Sequence, residues 1–119
     1  MDRLAGLSPC LRQTGAERGR ITIRTDSIDS AIATGALPRP TVAKIDIEGA
    51  ETAALKGMKS LLASASAPRT IFIELHPKFL PTFGSSVAEA SGIIERAGYR
   101  VAYEQERADQ VHRVYRRAA

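Results

Sequence analysis

The chain is poor in cysteine, histidine and aromatics, and it has no long apolar run. Cys10 is the one cysteine among 119 residues. That excludes an intramolecular disulfide and any metal cluster built from thiolates. Two histidines beside one cysteine do not make a convincing transition-metal set. Tryptophan is absent, and Phe and Tyr number three each, too few for a surface that stacks single-stranded bases. No apolar stretch approaches the ~20 residues that a membrane helix needs. Residues 1–10 hold one Arg and no apolar core, so they read poorly as a signal peptide. The default setting is therefore reducing and cytoplasmic, with no membrane partner.

What is present fits a small globular domain. Hydrophobic residues make up 44% of the chain, enough for a modest core and against wholesale disorder. The net charge is +4, and 13 of the 17 basic residues are Arg. Arg12, Arg18, Arg20 and Arg24 gather near the start, and Arg113, Arg116 and Arg117 near the end. Such patches can attract nucleic acid or anionic lipid. No nucleic-acid motif accompanies them, so a solvated basic surface is the better reading and no nucleic-acid partner is expected.

Residues 1–19 show no sustained period. Gly6, Pro9, Gly15 and Gly19 interrupt any regular element, so this segment reads as loose. Residues 20–119 read as the domain. Ile21–Arg24 alternates and is rich in β-branched residues, which predicts a short strand. Asp26 is placed to cap a helix with Asp29 in its first turn and Gly35 as its stop. The stretch Thr41–Ile47 is nearly continuous in apolar character, as in a strand covered on both faces. One helix is predicted from Glu51 to about Ser64, with Ala54, Leu55, Met58, Leu61 and Leu62 on one face. Thr70–Leu75 is a second apolar strand. Ser86 and Glu89 form a capping box ahead of a helix that Gly98 closes. Tyr99–Tyr103 reads as a strand, Glu104–Gln110 as a polar turn, and Val111–Tyr115 as a last strand antiparallel to it. The order predicts an α/β fold whose sheet is mostly parallel with an antiparallel final strand.

The chemistry concentrates at two strand ends. Lys44-Ile45-Asp46-Ile47-Glu48-Gly49-Ala50-Glu51 runs from a strand into three carboxylates. Asp46 and Glu48 are two apart, so a continuing strand would aim them to one side. Charges there are tolerable only at the carboxyl end of the strand, where a crevice opens. Gly49 lets the chain turn sharply and lets a ligand approach the backbone. Glu51 sits near the first turn of the next helix, either as a cap or as a ligand contact; Lys44 is either an ion partner of Asp46 and Glu48 or a site residue. The neighbouring strand ends in Glu74 and His76, and a histidine beside carboxylates can act as a general base. The spacing of Asp46, Glu48, Glu74 and His76 is not a metal motif, and no metal is expected. His112, among arginines of the last strand, is given no role.

These segments resemble the FkbM family of methyltransferases. The octapeptide Lys44–Glu51 matches the family's K-x-D-x-E-G-x-E signature without a gap. Ile73-Glu74-Leu75-His76 resembles its strand ending in E-x-H. Thr25-Asp26-Ser27-Ile28, Leu55-Lys56-Gly57-Met58 and Gly98-Tyr99-Arg100-Val101 resemble its flanking segments in order. The resemblance runs from about Ile21 to Tyr115. It implies a partial Rossmann-like (class I) sheet, S-adenosylmethionine as methyl donor, and a small-molecule hydroxyl acceptor on a sugar or secondary metabolite. The glycine-rich turn that holds the donor in this family has no counterpart in residues 1–19. The expectation is therefore a C-terminal portion, weak or inactive alone, completed by a homo-oligomer or by a missing N-terminal half. Asp46 and His76 are the expected catalytic residues, and Glu48, Gly49, Glu51 and Glu74 the expected binding residues. The alternative is a non-catalytic α/β module that binds a partner through an open sheet edge. Partner binding that survives alanine at both Asp46 and Glu48 would favour it.

Overall fold

In the strand Thr-Ile-Phe-Ile-Glu-Leu, alternate residues face opposite ways, and the two sets meet different surroundings. Ile71, Ile73 and Leu75 are buried, while Phe72 is 43% exposed. This strand organises the computed structural model of the chain, which describes residues 7–9 and 19–118. The elements are β1 (Leu7–Pro9), β2 (Thr22–Arg24), α1 (Ile28–Ala33), β3 (Val42–Ile45), α2 (Glu51–Lys56), α3 (Lys59–Ala63), β4 (Thr70–Leu75), α4 (Val87–Arg96), β5 (Tyr99–Arg107) and β6 (Gln110–Arg117). A 3-10 turn at Leu80–Phe83 leads into α4. Most of the segment expected to be loose, and Cys10 with it, lies outside the described residues; within it, β1 pairs antiparallel with β2.

The main sheet has the order β3-β4-β6-β5. β3 and β4 are parallel, with Ile45 beside Ile73. β6 runs antiparallel to both of its neighbours, β4 and β5. The expectation of a mostly parallel sheet is thus corrected. β3, β4 and β5 do point the same way, but the β5–β6 hairpin folds its second strand back into the slot between β4 and β5. Two of the three pairings are therefore antiparallel. The hairpin is also longer than its polar sequence suggests. Residues expected as a turn continue β5, where Glu104 faces Arg113 in register and their side chains meet at 3.2 Å. Such cross-strand pairs favour an exposed extension.

The helices cover one face of the sheet. Ile45, Ile71, Ile73, Leu75 and Tyr115 form one buried cluster with Leu55, Leu61, Leu62, Ala90 and Ile94. The other face exposes Val42, Phe72 and Tyr103, with Lys44 between them. A strand covered on both faces was expected for Thr41–Ile47, and this is a second correction. Among the described residues β2 pairs only with β1, so the outer edge of β3 has no strand against it.

The long helix expected over Glu51–Ser64 is two helices. Gly57 weakens helix continuation and admits α1, since a Cβ there would lie 3.1 Å from Ser27 Cβ. The Asp29 carboxylate then accepts the backbone N–H groups of Ser60 and Leu61 at 2.7 and 3.0 Å. It caps the second helix from outside, satisfying donors that the N-terminal Met58 leaves open. The cap of α1 itself is Ser27, which accepts from Ser30 N–H, with Asp26 one residue upstream. Ser86 caps α4 as expected. No helix among the described residues is long and apolar enough to cross a membrane.

A one-faced sheet makes a sharp prediction at adjacent positions. Ile71→Ala is expected to lower the unfolding free energy by about 2–5 kcal/mol, and Phe72→Ala by less than about 1 kcal/mol. Denaturant titration of the two variants checks this, and equal losses would mean that both faces are packed.

Candidate functional site

The carboxyl ends of β3 and β4 lie side by side because these strands are parallel neighbours. Asp46 follows β3 directly, Glu74 is the penultimate residue of β4, and His76 follows it. The first two turns of chain beyond the strands then lock against each other. Phe79 and Leu80 both donate backbone N–H to the His76 carbonyl, at 3.0 and 2.9 Å. Phe79 packs near the imidazole with ring centroids 6.1 Å apart. Gly49 faces this turn with φ 109°, and a Cβ there would lie 2.8 Å from Phe79 Cβ. Only glycine accepts both that angle and that proximity. The backbone approach expected for a ligand at Gly49 is thus taken by the protein's own Phe79 and Phe83.

Glu51 is fully buried and His76 is 3% exposed. His76 Nδ1 lies 2.7 Å from Glu51 Oε2, and the same oxygen accepts Gly49 N–H at 3.0 Å. An oxygen that accepts a backbone donor is the acceptor for the ring as well, so Nδ1 carries the proton. Glu51 therefore holds the turn ahead of α2 and anchors the histidine at once. Its other oxygen, Oε1, is buried with no hydrogen-bond partner among the described residues. Nε2 of His76 faces Glu74 Oε1 at 3.3 Å and Asp46 Oδ1 at 3.7 Å.

Burial alone would push the His76 pKa down. The hydrogen bond to Glu51 and the charges of Glu51, Glu74 and Asp46 outweigh it and raise the pKa above 6.5.

The structure gathers Asp46, Glu51, Glu74 and His76, and it separates Glu48 from them. The strand stops at Ile45, so the alternation that would align Glu48 with Asp46 is lost. Glu48 turns into the left-handed region with φ 51° and is exposed. Lys44 lies exposed on the open sheet face and forms no ion pair with Asp46 or Glu48. His112, which sequence reasoning passed over, sits opposite Glu74 in the β4–β6 register and lies 3.5 Å from Glu74 Oε2. Only the insertion of β6 beside β4 brings it there, and no local pattern announces that insertion.

Comparison with known proteins adds the lineage. The family model described as "Methyltransferase FkbM domain" matches residues 4–101. A stretch of 58 residues, 49% of this chain, is 40% identical to the hexuronic acid methyltransferase AglP of Haloferax volcanii and covers 23% of that protein. No solved structure matches the chain.

The His76 shift has a sign that can be measured. A pKa raised on folding stabilises fully below the unfolded value of 6.5, and that stabilisation is lost as pH rises through the folded value. In chelated buffer, stability is expected to decline across that window. In NMR titration, Glu51→Gln is expected to lower the His76 pKa. A native His76 titrating at or below the unfolded value would contradict the charge balance described above.

Proposed function

Because the chain belongs to the FkbM methyltransferase family, we propose that it supplies the acceptor side of an S-adenosylmethionine-dependent O-methyltransferase with a Rossmann-like class I fold. The observation that carries this reading is the buried Glu51–His76 pair, which sets Nε2 beside Asp46 and Glu74 at two parallel strand ends. Methyl transfer asks little covalent work of the protein. A hydroxyl must be held in line with the methyl carbon and relieved of its proton. Neutral His76 takes that proton at Nε2. Glu51 keeps the ring in the right tautomer and stabilises the imidazolium that forms, the task a buried carboxylate performs in catalytic triads. Asp46, exposed at the crevice mouth, and Glu74 accept hydrogen bonds from neighbouring hydroxyls of the acceptor, and Asp46 is the alternative base.

S-adenosylmethionine brings an activated methyl group. The described residues do not fit it. No glycine-rich turn follows a strand among them, and the one strand-end glycine, Gly49, is packed against Phe79. The donor side of the reaction therefore belongs to chain outside residues 19–118. The acceptor is read as a sugar. The relative's name gives a hexuronic acid, which carries both hydroxyls and a carboxylate. Three carboxylates around His76 repel a fourth, so a hydroxyl is the group that faces Nε2.

A second reading is an interaction module. The open edge of β3 and the exposed Val42, Phe72 and Tyr103 beside it favour it, because unpaired edges recruit strands. On that reading the carboxylates are incidental, and partner binding would survive alanine at Asp46 and Glu48.

Two measurements separate these readings. Calorimetric titration with S-adenosylhomocysteine is expected to show no binding to this chain alone; micromolar binding would place a donor pocket within it. Joined to the donor half of the Haloferax volcanii relative, the chain is expected to support methyl transfer to a sugar hydroxyl. There His76→Ala should lower kcat by about 10²–10⁴-fold. A folded, active fusion that is indifferent to this change sinks the assignment of the base.

A further inference from the structure

Asp46, Glu74 and His76 bring three potential ligand atoms within 4.8 Å of one another. We propose that they form a site for a divalent transition-metal cation of the Mn2+ or Zn2+ class. The expectation of no metal rested on linear spacing, and it is the parallel pairing of β3 with β4 that assembles this set.

The histidine is prepared for the role. It is 3% exposed, and its Nδ1 is held at 2.7 Å by the fully buried Glu51. A carboxylate on the far ring nitrogen is the usual support of a metal-ligating histidine, fixing its tautomer and raising its basicity. Nε2 takes no hydrogen bond among the described residues. It lies instead against two carboxylate oxygens at 3.3 and 3.7 Å. A neutral Nε2 and two carboxylates are all acceptors, so their convergence is answered either by a proton on Nε2 or by a bound cation that replaces it. Among the described residues no Lys or Arg supplies a charge: the ion pairs of Asp46 and Glu74 there are to His76 and His112.

The distances suit one ion. Ligand atoms bound at about 2.0–2.2 Å to a common cation lie roughly 3–3.5 Å apart. Glu74 is already at that distance from Nε2, Asp46 lies 3.7 Å from it, and all three ligand atoms fall within 4.8 Å of one another, so the exposed Asp46 must move inward to complete the set. His112 Nε2 lies 3.5 Å from the second oxygen of Glu74, while its hydrogen bond goes to Gln110 Oε1 at 3.1 Å. One imidazole nitrogen and two carboxylates favour Mn2+, Fe2+, Co2+ or Zn2+ over Mg2+ and Ca2+, which prefer all-oxygen shells. Three protein ligands leave coordination positions open. If the methyl-transfer reading holds, the open positions would receive the acceptor hydroxyl and lower its pKa, and the unligated oxygen of Asp46, not the ligated His76, would take the proton. That use rests on the methyl-transfer reading, whereas the cation site does not.

The test is a titration of the whole chain with Mn2+ followed by electron paramagnetic resonance and calorimetry. A Cys10→Ser background removes thiolate competition. One saturable ion per chain is expected. Asp46→Asn and Glu74→Gln should each weaken binding at least tenfold, and Glu51→Gln by about 10–100-fold. Asp46→Asn, at an exposed position, should leave the metal-free melting temperature unchanged, which separates lost binding from lost folding. Saturable binding without methyl transfer in the fusion supports the site while retiring its use in that reaction. Absence of saturable Mn2+ and Zn2+ binding at millimolar ion overturns the proposal. So does binding that is unaltered by both Asp46→Asn and Glu74→Gln. Equal affinity for Mg2+ overturns the assignment to a transition metal.

Discussion

The hydrogen bond between Glu51 and His76 ties together three pieces of chain that would otherwise be separate loops. Glu51 opens α2, its oxygen also holds the Gly49 amide of the preceding turn, and His76 begins the loop after β4. Breaking it would leave a fully buried carboxylate facing one amide alone, and uncompensated buried charge is among the costliest defects a small domain can carry. The bond also decides which ring nitrogen faces Asp46 and Glu74. Everything argued about chemistry at Nε2 depends on Nδ1 being occupied.

The sheet beneath this bond is built to place it. Parallel pairing of β3 and β4 is the one arrangement that puts two consecutive carboxyl ends side by side without a hairpin between them. The helices that make the crossover can cover only the face they pass over. In this chain α2, α3 and α4 all serve the same face, and the opposite face keeps Val42, Phe72 and Tyr103 in solvent. The acidic site and the open apolar face are thus consequences of one topology.

The residues that could be read in advance are those whose local pattern and tertiary role agree. The apolar run Thr70–Leu75 gave the bounds of β4, and the Ser86 cap fixed the start of α4. Asp46, Glu74 and His76 were legible because charges at the end of an apolar strand have few places to go. Where the reading failed, a distant partner had intervened. Gly57 breaks the helix because Asp29, some thirty residues away, caps its continuation. Glu48 leaves the site because β3 ends at Ile45. The sheet is less parallel than expected because β6 enters between β4 and β5. His112 joins Glu74 through that same insertion, and a hairpin's final slot leaves no mark in local sequence.

One feature breaks the ordinary rules of burial. Glu51 Oε1 is buried without a partner among the described residues, and an unsatisfied buried polar atom costs about 1–3 kcal/mol, more when it bears charge. A structural cap alone does not require that sacrifice, since Ser, Asp or Asn just ahead of a helix caps at lower cost. The chain instead sets Ala50 ahead of α2, with no side-chain cap, and buries a longer carboxylate behind a histidine. Local violations of this kind gather where function constrains the fold. The added reach of Glu51 serves a purpose only if the charge state or ligation of His76 matters. The orphaned oxygen is therefore an argument for chemistry at His76 that is independent of any family likeness.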